Sequence, residues 1–130
     1  MAEYDESLEI ELKVDPSFSP PLKIMANKGV IAYEGNVEQE NYNFESNVSG
    51  EITIAPSDFD NLLGDIKLYQ ITVFPEFSMG LDGTTYTISI NNGFGNATFS
   101  WWEECPREWE KLGNLADNLI DYVKKNMENL

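Results

Sequence analysis

The spacing of apolar residues changes once along this chain, and that change limits the fold more than any other feature. Up to Trp102, apolar and polar residues alternate in short runs such as Leu8 to Val14 and Thr84 to Asn91, a pattern typical of strands with one buried face. After Pro106, apolar residues recur every third or fourth position as far as Met127, which predicts an amphipathic helix of about five turns. Strands followed by such a helix predict an α+β fold.

The remaining patterns add strands, turns and one short helix. We expect a mainly antiparallel sheet of about six strands, with the C-terminal helix packed on one face. Acidic residues after Pro56 predict a short middle helix that ends near Gly64, and the polar segment 36–47 is predicted as a loop or an edge strand. No linker divides the chain, so residues 1–130 are predicted to form a single domain. The other strand-like runs are 22–34, as two pieces around the turn Asn27 to Gly29, then 48–55, 69–74 and 97–102.

Four aromatic residues lie close together in the sequence around the junction of the last strand and the helix. They are Phe99, Trp101, Trp102 and Trp109. Trp101 and Trp102 must point to opposite faces of a strand. We therefore expect Phe99, Trp101 and Trp109 to pack between sheet and helix. Trp102 is then either a cover for a loop at the rim or an exposed anchor for a binding partner.

The chain is strongly acidic, with Asp+Glu 23 against Lys+Arg 8 and a formal net charge of -15. Between Lys28 and Arg107 the only basic residue is Lys67. A field of this sign attracts basic proteins and repels nucleic acid and anionic membranes, so we predict a basic protein partner, no direct nucleic-acid binding and no membrane binding. The predicted partner-binding residues are Glu34, Glu38, Glu40, Glu45, Glu51, Asp58, Asp60, Asp65 and Trp102.

The residue types present restrict the possible chemistry. Histidine is absent, which excludes histidine-dependent triads and histidine-ligated zinc. Cys105 is the only cysteine, so no internal disulfide can form, and its thiol is predicted to be a passive side chain. A catalytic pair of carboxylates remains possible, although 23 acidic residues will place some pair at a suitable distance by chance. We predict no catalytic residue, no metal site and no cofactor, and, without a secretory signal at the N-terminus, a cytoplasmic protein.

A run of residues in the C-terminal part of the chain resembles a pattern in small acidic bacterial proteins of unassigned function. The run comprises Leu81 to Tyr86, Phe99 to Trp102 and Pro106 to Leu112. The resemblance covers about the last third of the chain, implies a hairpin followed by a helix, and carries over no catalytic residue. In size and charge the chain is also similar in kind to the acidic immunity proteins that neutralise basic toxins.

Three functional hypotheses follow. The first is a non-enzymatic acidic protein that occludes a basic surface of a toxin or a nucleic-acid enzyme, as an immunity protein or inhibitor does. The second is a nucleic-acid mimic, which requires exposed carboxylates in rows like phosphates, whereas ordinary inhibition predicts a mixed patch with an apolar centre. The third is a carboxylate-dependent enzyme or a small-ligand domain, which requires a concave pocket with converging acids. The charge could also serve only to keep the chain soluble.

Overall fold

The computed structural model describes residues 8–17, 21–38, 45–64, 66, 70–73, 75, 83–93 and 95–128; for 36–38, 45–47 and 127–128 it describes the backbone. These residues form a six-stranded antiparallel sheet and two α-helices, which confirms the predicted α+β fold. In chain order the elements are β1 (Glu9–Pro16), β2 (Leu22–Asn27), β3 (Val30–Glu38), β4 (Glu45–Thr53), α1 (Pro56–Leu63), β5 (Thr84–Asn91), β6 (Asn96–Trp102), a 3-10 turn (Arg107–Trp109) and α2 (Glu110–Glu128).

The sheet order is β4-β3-β2-β1-β5-β6, so the first strand lies in the middle and β4 and β6 form the two edges. The predicted hairpin around Asn27 to Gly29 is confirmed as the β2–β3 turn. Strands β3 and β4 extend further into the segment 36–47 than the sequence pattern indicated, and Glu38 pairs with Glu45. The described part of that segment is therefore strand and not loop, but only residues 45–47, in β4, belong to an edge strand, because β3 lies between β2 and β4.

The strand expected over 69–74 does not form in the residues that the structure describes there. Residues 70–73 belong to neither a strand nor a helix. The Trp109 indole N–H donates a hydrogen bond to the Thr72 carbonyl at 2.7 Å, and Ile71 packs against the core. Ile71 thus packs against the core and Thr72 binds Trp109 at the start of α2, while Val73 stays exposed, so tertiary contacts override the strand propensity of this segment.

The core lies between one face of the sheet and the helices. Leu12 in the central strand pairs with Ile24 on one side and Ile88 on the other, and all three side chains are fully buried. Burying each side chain of this size contributes about 1.5–3 kcal/mol. The helices add Phe59 and Leu63 from α1, and the buried face of α2 consists of Leu112, Leu115, Ala116, Leu119 and Val123.

The aromatic cluster joins β6 to the beginning of α2, as the sequence predicted. The Trp109 ring lies edge-on to Phe99 and Trp101, with centroids 5.3 Å and 6.4 Å away. Trp101 also stacks on Tyr86 of β5 at 5.8 Å. Edge-to-face and offset pairs of this kind contribute about 0.5–1.5 kcal/mol each beyond their buried area. The cluster therefore fixes the hairpin β5–β6 against the C-terminal helix.

Candidate functional site

The face of the sheet that points away from the helices is exposed, and we call it the open face. Successive side chains of a strand point to opposite faces. Because Ile10 and Leu12 lie in the core, the neighbouring Glu9, Glu11 and Lys13 lie on the open face. The strand register extends this face across the whole sheet. Its members include Lys23, Met25, Ala32, Glu34, Ser49, Glu51, Thr87, Ser89, Thr98 and Ser100.

Met25 is the most unusual residue on the open face, because 46% of this large apolar side chain is exposed. It pairs with Glu11 of β1 on one side and with Ala32 of β3 on the other. Glu51 of β4 lies opposite Ala32. Across about 14 Å of sheet, a row therefore runs from one carboxylate through two apolar side chains to a second carboxylate.

The adjacent row brings a third carboxylate to the same place. Glu34 of β3 pairs with Lys23 of β2 and with Ser49 of β4. Between the two rows lies an open depression of about 350 Å³, and we call the side chains that line it the Met25 patch. The patch consists of Lys23, Met25, Ala32, Glu34, Ser49 and Glu51. Its centre is apolar and its rim is charged, which is the anatomy of a protein-binding surface.

A second depression, of about 310 Å³, lies on the other side of Met25. Its lining includes Glu9, Glu11, Asn27 and Ser89. The two carboxylates are two residues apart on one strand, which separates their Cα atoms by about 6.8 Å. That distance suits a catalytic pair, but both side chains leave the same strand in the same direction instead of facing each other across a cleft. The arrangement does not favour glycosidase-type chemistry.

The structure distributes the predicted acidic residues over both sides of the sheet. Glu34 and Glu51 lie together on the open face. Asp58 and Asp60 are exposed on α1, whose Phe59 is buried in the core, so they belong to the opposite, helical side of the protein. The backbone pairs Glu38 with Glu45 where β3 ends and β4 begins, while Glu40 and Asp65 lie outside the described residues.

Trp102 lies on the open face but at the far edge from the Met25 patch. It pairs with Thr85, and its half-buried indole covers Gly83 at the start of β5. Gly83 has a φ of +142°, and a Cβ atom there would lie 2.8 Å from Trp102 Cε2. Glycine is thus required both by the backbone and by the indole above it. Trp102 covers a loop, which is one of the two roles that the sequence predicted.

The perturbed ionisable groups lie on the helical side. Burial raises the pKa of the Cys105 thiol to about 11, although a hydrogen bond from the Gly113 backbone opposes this shift. Burial and the nearby Asp121 raise the pKa of Asp117, and burial together with Asp117 raises the pKa of Tyr86. A thiol with so high a pKa is a poor nucleophile. This geometry agrees with the predicted passive role of Cys105.

Other kinds of site have no support in the described residues. No group of three or more aspartate, glutamate or cysteine side chains there could hold a metal ion. In the same part of the chain, no helix combines the length and the apolar character needed to cross a membrane. Comparison with models of known protein families and with curated proteins finds no match. The candidate surface that the structure does support is the open face, where the exposed Met25 lies among carboxylates.

The sequence reasoning missed Met25, Glu11 and Lys23. The sequence did contain a usable signal. Leu22, Ile24 and Ala26 are the buried positions of β2, and the apolar Met25 lies between two of them, so its side chain must point to the opposite face. The other two residues are ordinary exposed charges in sequence. Only the register between β1, β2 and β3 brings them beside Met25.

Proposed function

We propose that this chain is a non-enzymatic acidic protein of the bacterial cytoplasm that occludes a basic surface of a partner protein, as an immunity protein or an inhibitor does. The Met25 patch is the docking surface in this proposal. The observation that carries it is the exposed Met25 side chain, beside Ala32 and surrounded by Glu11, Glu34 and Glu51.

The patch combines the two contributions that a protein interface needs. Met25 offers flexible apolar surface that a partner can bury, at about 25 cal/mol for each Å² removed from water. The carboxylates of Glu34 and Glu51 can pair with lysine or arginine side chains around that centre. The net charge of -15 accelerates the encounter from a distance, because oppositely charged proteins steer towards each other at low salt.

The mixture of charges on the open face favours ordinary inhibition over nucleic-acid mimicry. In one row Lys13 and Lys23 lie next to each other, and Glu34 follows. In the next row Met25 and Ala32 separate the carboxylates. An imitation of a phosphate backbone needs an uninterrupted series of negative charges, and neither row provides one. The described side chains resemble a mixed patch with an apolar centre.

The test begins with capture on the immobilised chain. A lysate of the source organism is applied at about 0.05 M salt, and bound protein is eluted at about 0.5 M, where screening weakens long-range attraction. We expect a basic protein that is retained at low salt and released at high salt. The captured protein is then identified and purified, and its affinity for the chain is measured by calorimetry.

Two double variants with equal changes of charge separate a docking surface from a general charge effect. Glu34→Gln with Glu51→Gln changes the Met25 patch, and Asp58→Asn with Asp60→Asn makes the same change of two charges on α1. We expect the first pair to weaken binding by at least about tenfold and the second by less than about threefold. Equal effects of the two double variants, or the absence of any partner released by salt, would refute the proposal.

A further inference from the structure

The edge strand β6 has backbone hydrogen-bonding groups that point away from β5, and no residue that the structure describes binds them. Two hydrogen bonds flank its ladder with β5: Glu103 N–H donates to the Thr84 carbonyl at 2.7 Å, and Asn92 N–H donates to the Gly95 carbonyl at 3.1 Å. Hydrogen-bonded and non-hydrogen-bonded pairs alternate along an antiparallel ladder, so these two bonds fix the direction of every group between them. The residues whose amides and carbonyls point away from β5 are Asn96, Thr98, Ser100 and Trp102.

This edge lacks the features that usually prevent strands from pairing. Natural edges carry charges, prolines or bulges. The opposite edge, β4, contains Glu45 and Glu51, whereas β6 contains no charged residue and no proline within Asn96–Trp102. Among the described residues, none forms a hydrogen bond with the outward backbone groups of β6. In a chain with a net charge of -15, a neutral and exposed edge strand of seven residues requires an explanation.

We propose that β6 pairs with β6 of a second copy of this chain, in antiparallel orientation, around a two-fold axis at Phe99. In this register the outward groups of one strand meet those of the other, because Asn96 faces Trp102 and Thr98 faces Ser100. Phe99 then faces Phe99 of the second copy as a non-hydrogen-bonded pair, with about 4.5 Å between Cα atoms. The two sheets become one continuous sheet across the dimer.

The apolar groups near the axis support this register. Phe99 is partly buried within one chain, with the Trp109 ring edge-on to it, and a second Phe99 can cover the part that stays exposed. Aromatic pairs directly across neighbouring strands contribute to sheet stability. Val73, which is 68% exposed, follows Thr72, whose carbonyl accepts the hydrogen bond from the same Trp109. An exposed apolar side chain thus directly follows the residue that binds Trp109, which is the aromatic partner of Phe99.

The antiparallel arrangement keeps the nearest carboxylates apart. Glu103 and Glu104 follow β6 directly, and in the proposed register they lie at opposite ends of the shared strand pair. Seven residues of strand separate the two ends by roughly 24 Å, about three times the screening length at physiological salt. Glu103 then faces the uncharged Gly95 of the second copy. Since the remaining repulsion between two acidic chains is screened by salt, dimerisation should strengthen as salt increases.

Sedimentation of the full chain tests this proposal. Over about a hundredfold range of concentration, we expect the mass to rise from the monomer value of 14.7 kDa towards twice that value. The dimer fraction at a fixed concentration should increase between about 0.05 M and 0.5 M salt. The proposed binding of a basic partner has the opposite salt dependence, so each proposal can fail without the other. A monomer under all these conditions would overturn the dimer.

Proline substitutions show which of the two edge strands, β6 or β4, forms the dimer interface. Thr98→Pro removes an outward N–H that the β5 ladder does not use, and we expect it to weaken dimerisation by at least about tenfold. Ser49→Pro makes the equivalent change on the other edge, β4, and should leave dimerisation unchanged. Ala97→Glu, at an exposed position of β6, places two carboxylates in the interface and should also favour the monomer. Circular dichroism verifies that each variant is folded. Dimerisation that persists in both β6 variants would refute this interface.

Discussion

Trp109 joins three parts of the fold, and its substitution tests how they are held together. Its ring contacts Phe99 and Trp101, its indole N–H donates to the Thr72 carbonyl at 2.7 Å, and only 6% of the residue is exposed. Replacing a buried tryptophan by alanine costs about 3–5 kcal/mol. Trp109→Phe retains one ring but loses the hydrogen bond, about 0.5–1.5 kcal/mol, and part of the buried area. We therefore expect about 2–3 kcal/mol for Trp109→Phe.

Urea denaturation measures both costs. With a dependence of stability on urea of about 2 kcal/mol per M for a chain of this size, the midpoint should fall by about 1 M for Trp109→Phe and by about 2 M for Trp109→Ala. Trp102→Phe is the matched control, because Trp102 is less buried than Trp109 and lies over the backbone at Gly83 outside the core. We expect that control to cost less than about 1 kcal/mol. Equal midpoints for Trp109→Phe and Trp102→Phe would show that the Trp109 contacts do not stabilise the fold.

Two further predictions concern the backbone and the cysteine. Gly35→Ala should destabilise the chain by more than about 2 kcal/mol in the same denaturation assay, since Gly35 has a φ of +123° and a Cβ atom there would overlap the Pro21 backbone. Cys105 has its pKa raised from 9.0 to about 11, so at pH 8 iodoacetamide should alkylate the native thiol about a hundredfold more slowly than the unfolded one. The unfolded thiol loses its proton first, so this group favours the native state at and below pH 9, and its contribution decreases as the pH rises towards 11. Similar alkylation rates in the native and unfolded chains would contradict the raised pKa.

The parts of the fold that the sequence predicted well are those with a local signal. The alternation of Thr84 to Asn91, the turn Asn27 to Gly29 and the helical spacing after Pro106 all lie within short windows. Each corresponds to an element with nearly the predicted bounds. Local patterns of this kind determine structure because the buried face of each element is determined by its own period.

The parts that the sequence predicted poorly depend on distant partners. The polar ends of β3 and β4 show little alternation. They form strands because the pairing that begins at apolar residues, such as Ile31 with Ile52, continues in the same register to Glu38 and Glu45. The segment 70–73 has strand-forming residues but contacts Trp109 instead of a neighbouring strand. Sequence propensity predicts neither result. The first depends on strand pairing that is fixed by other residues of β3 and β4, and the second depends on a contact with a residue more than thirty positions away.

The acidic surface shows the same limit at the level of the site. The sequence grouped carboxylates from Glu34 to Asp65 because no cation except Lys67 lies between Lys28 and Arg107. The fold separates Glu34 and Glu51 on the open face from Asp58 and Asp60 on α1. Proximity in sequence is therefore a poor guide to a shared surface once a strand and a helix lie on opposite sides of a sheet.

The distribution of charge connects the two proposed surfaces. No charged side chain among the described residues is buried, and the ion pair of Lys13 with Asp15, at 3.9 Å, is exposed and therefore weak. With Asp+Glu 23 against Lys+Arg 8 the chain has an excess of negative charge, and either salt or a cationic partner would reduce the repulsion that this excess causes. A surface that binds such a partner needs carboxylates, as the Met25 patch has, whereas a surface that binds a second acidic copy must lack them, as β6 does. The two surfaces differ in charge as their proposed partners differ, so salt should weaken one association and strengthen the other.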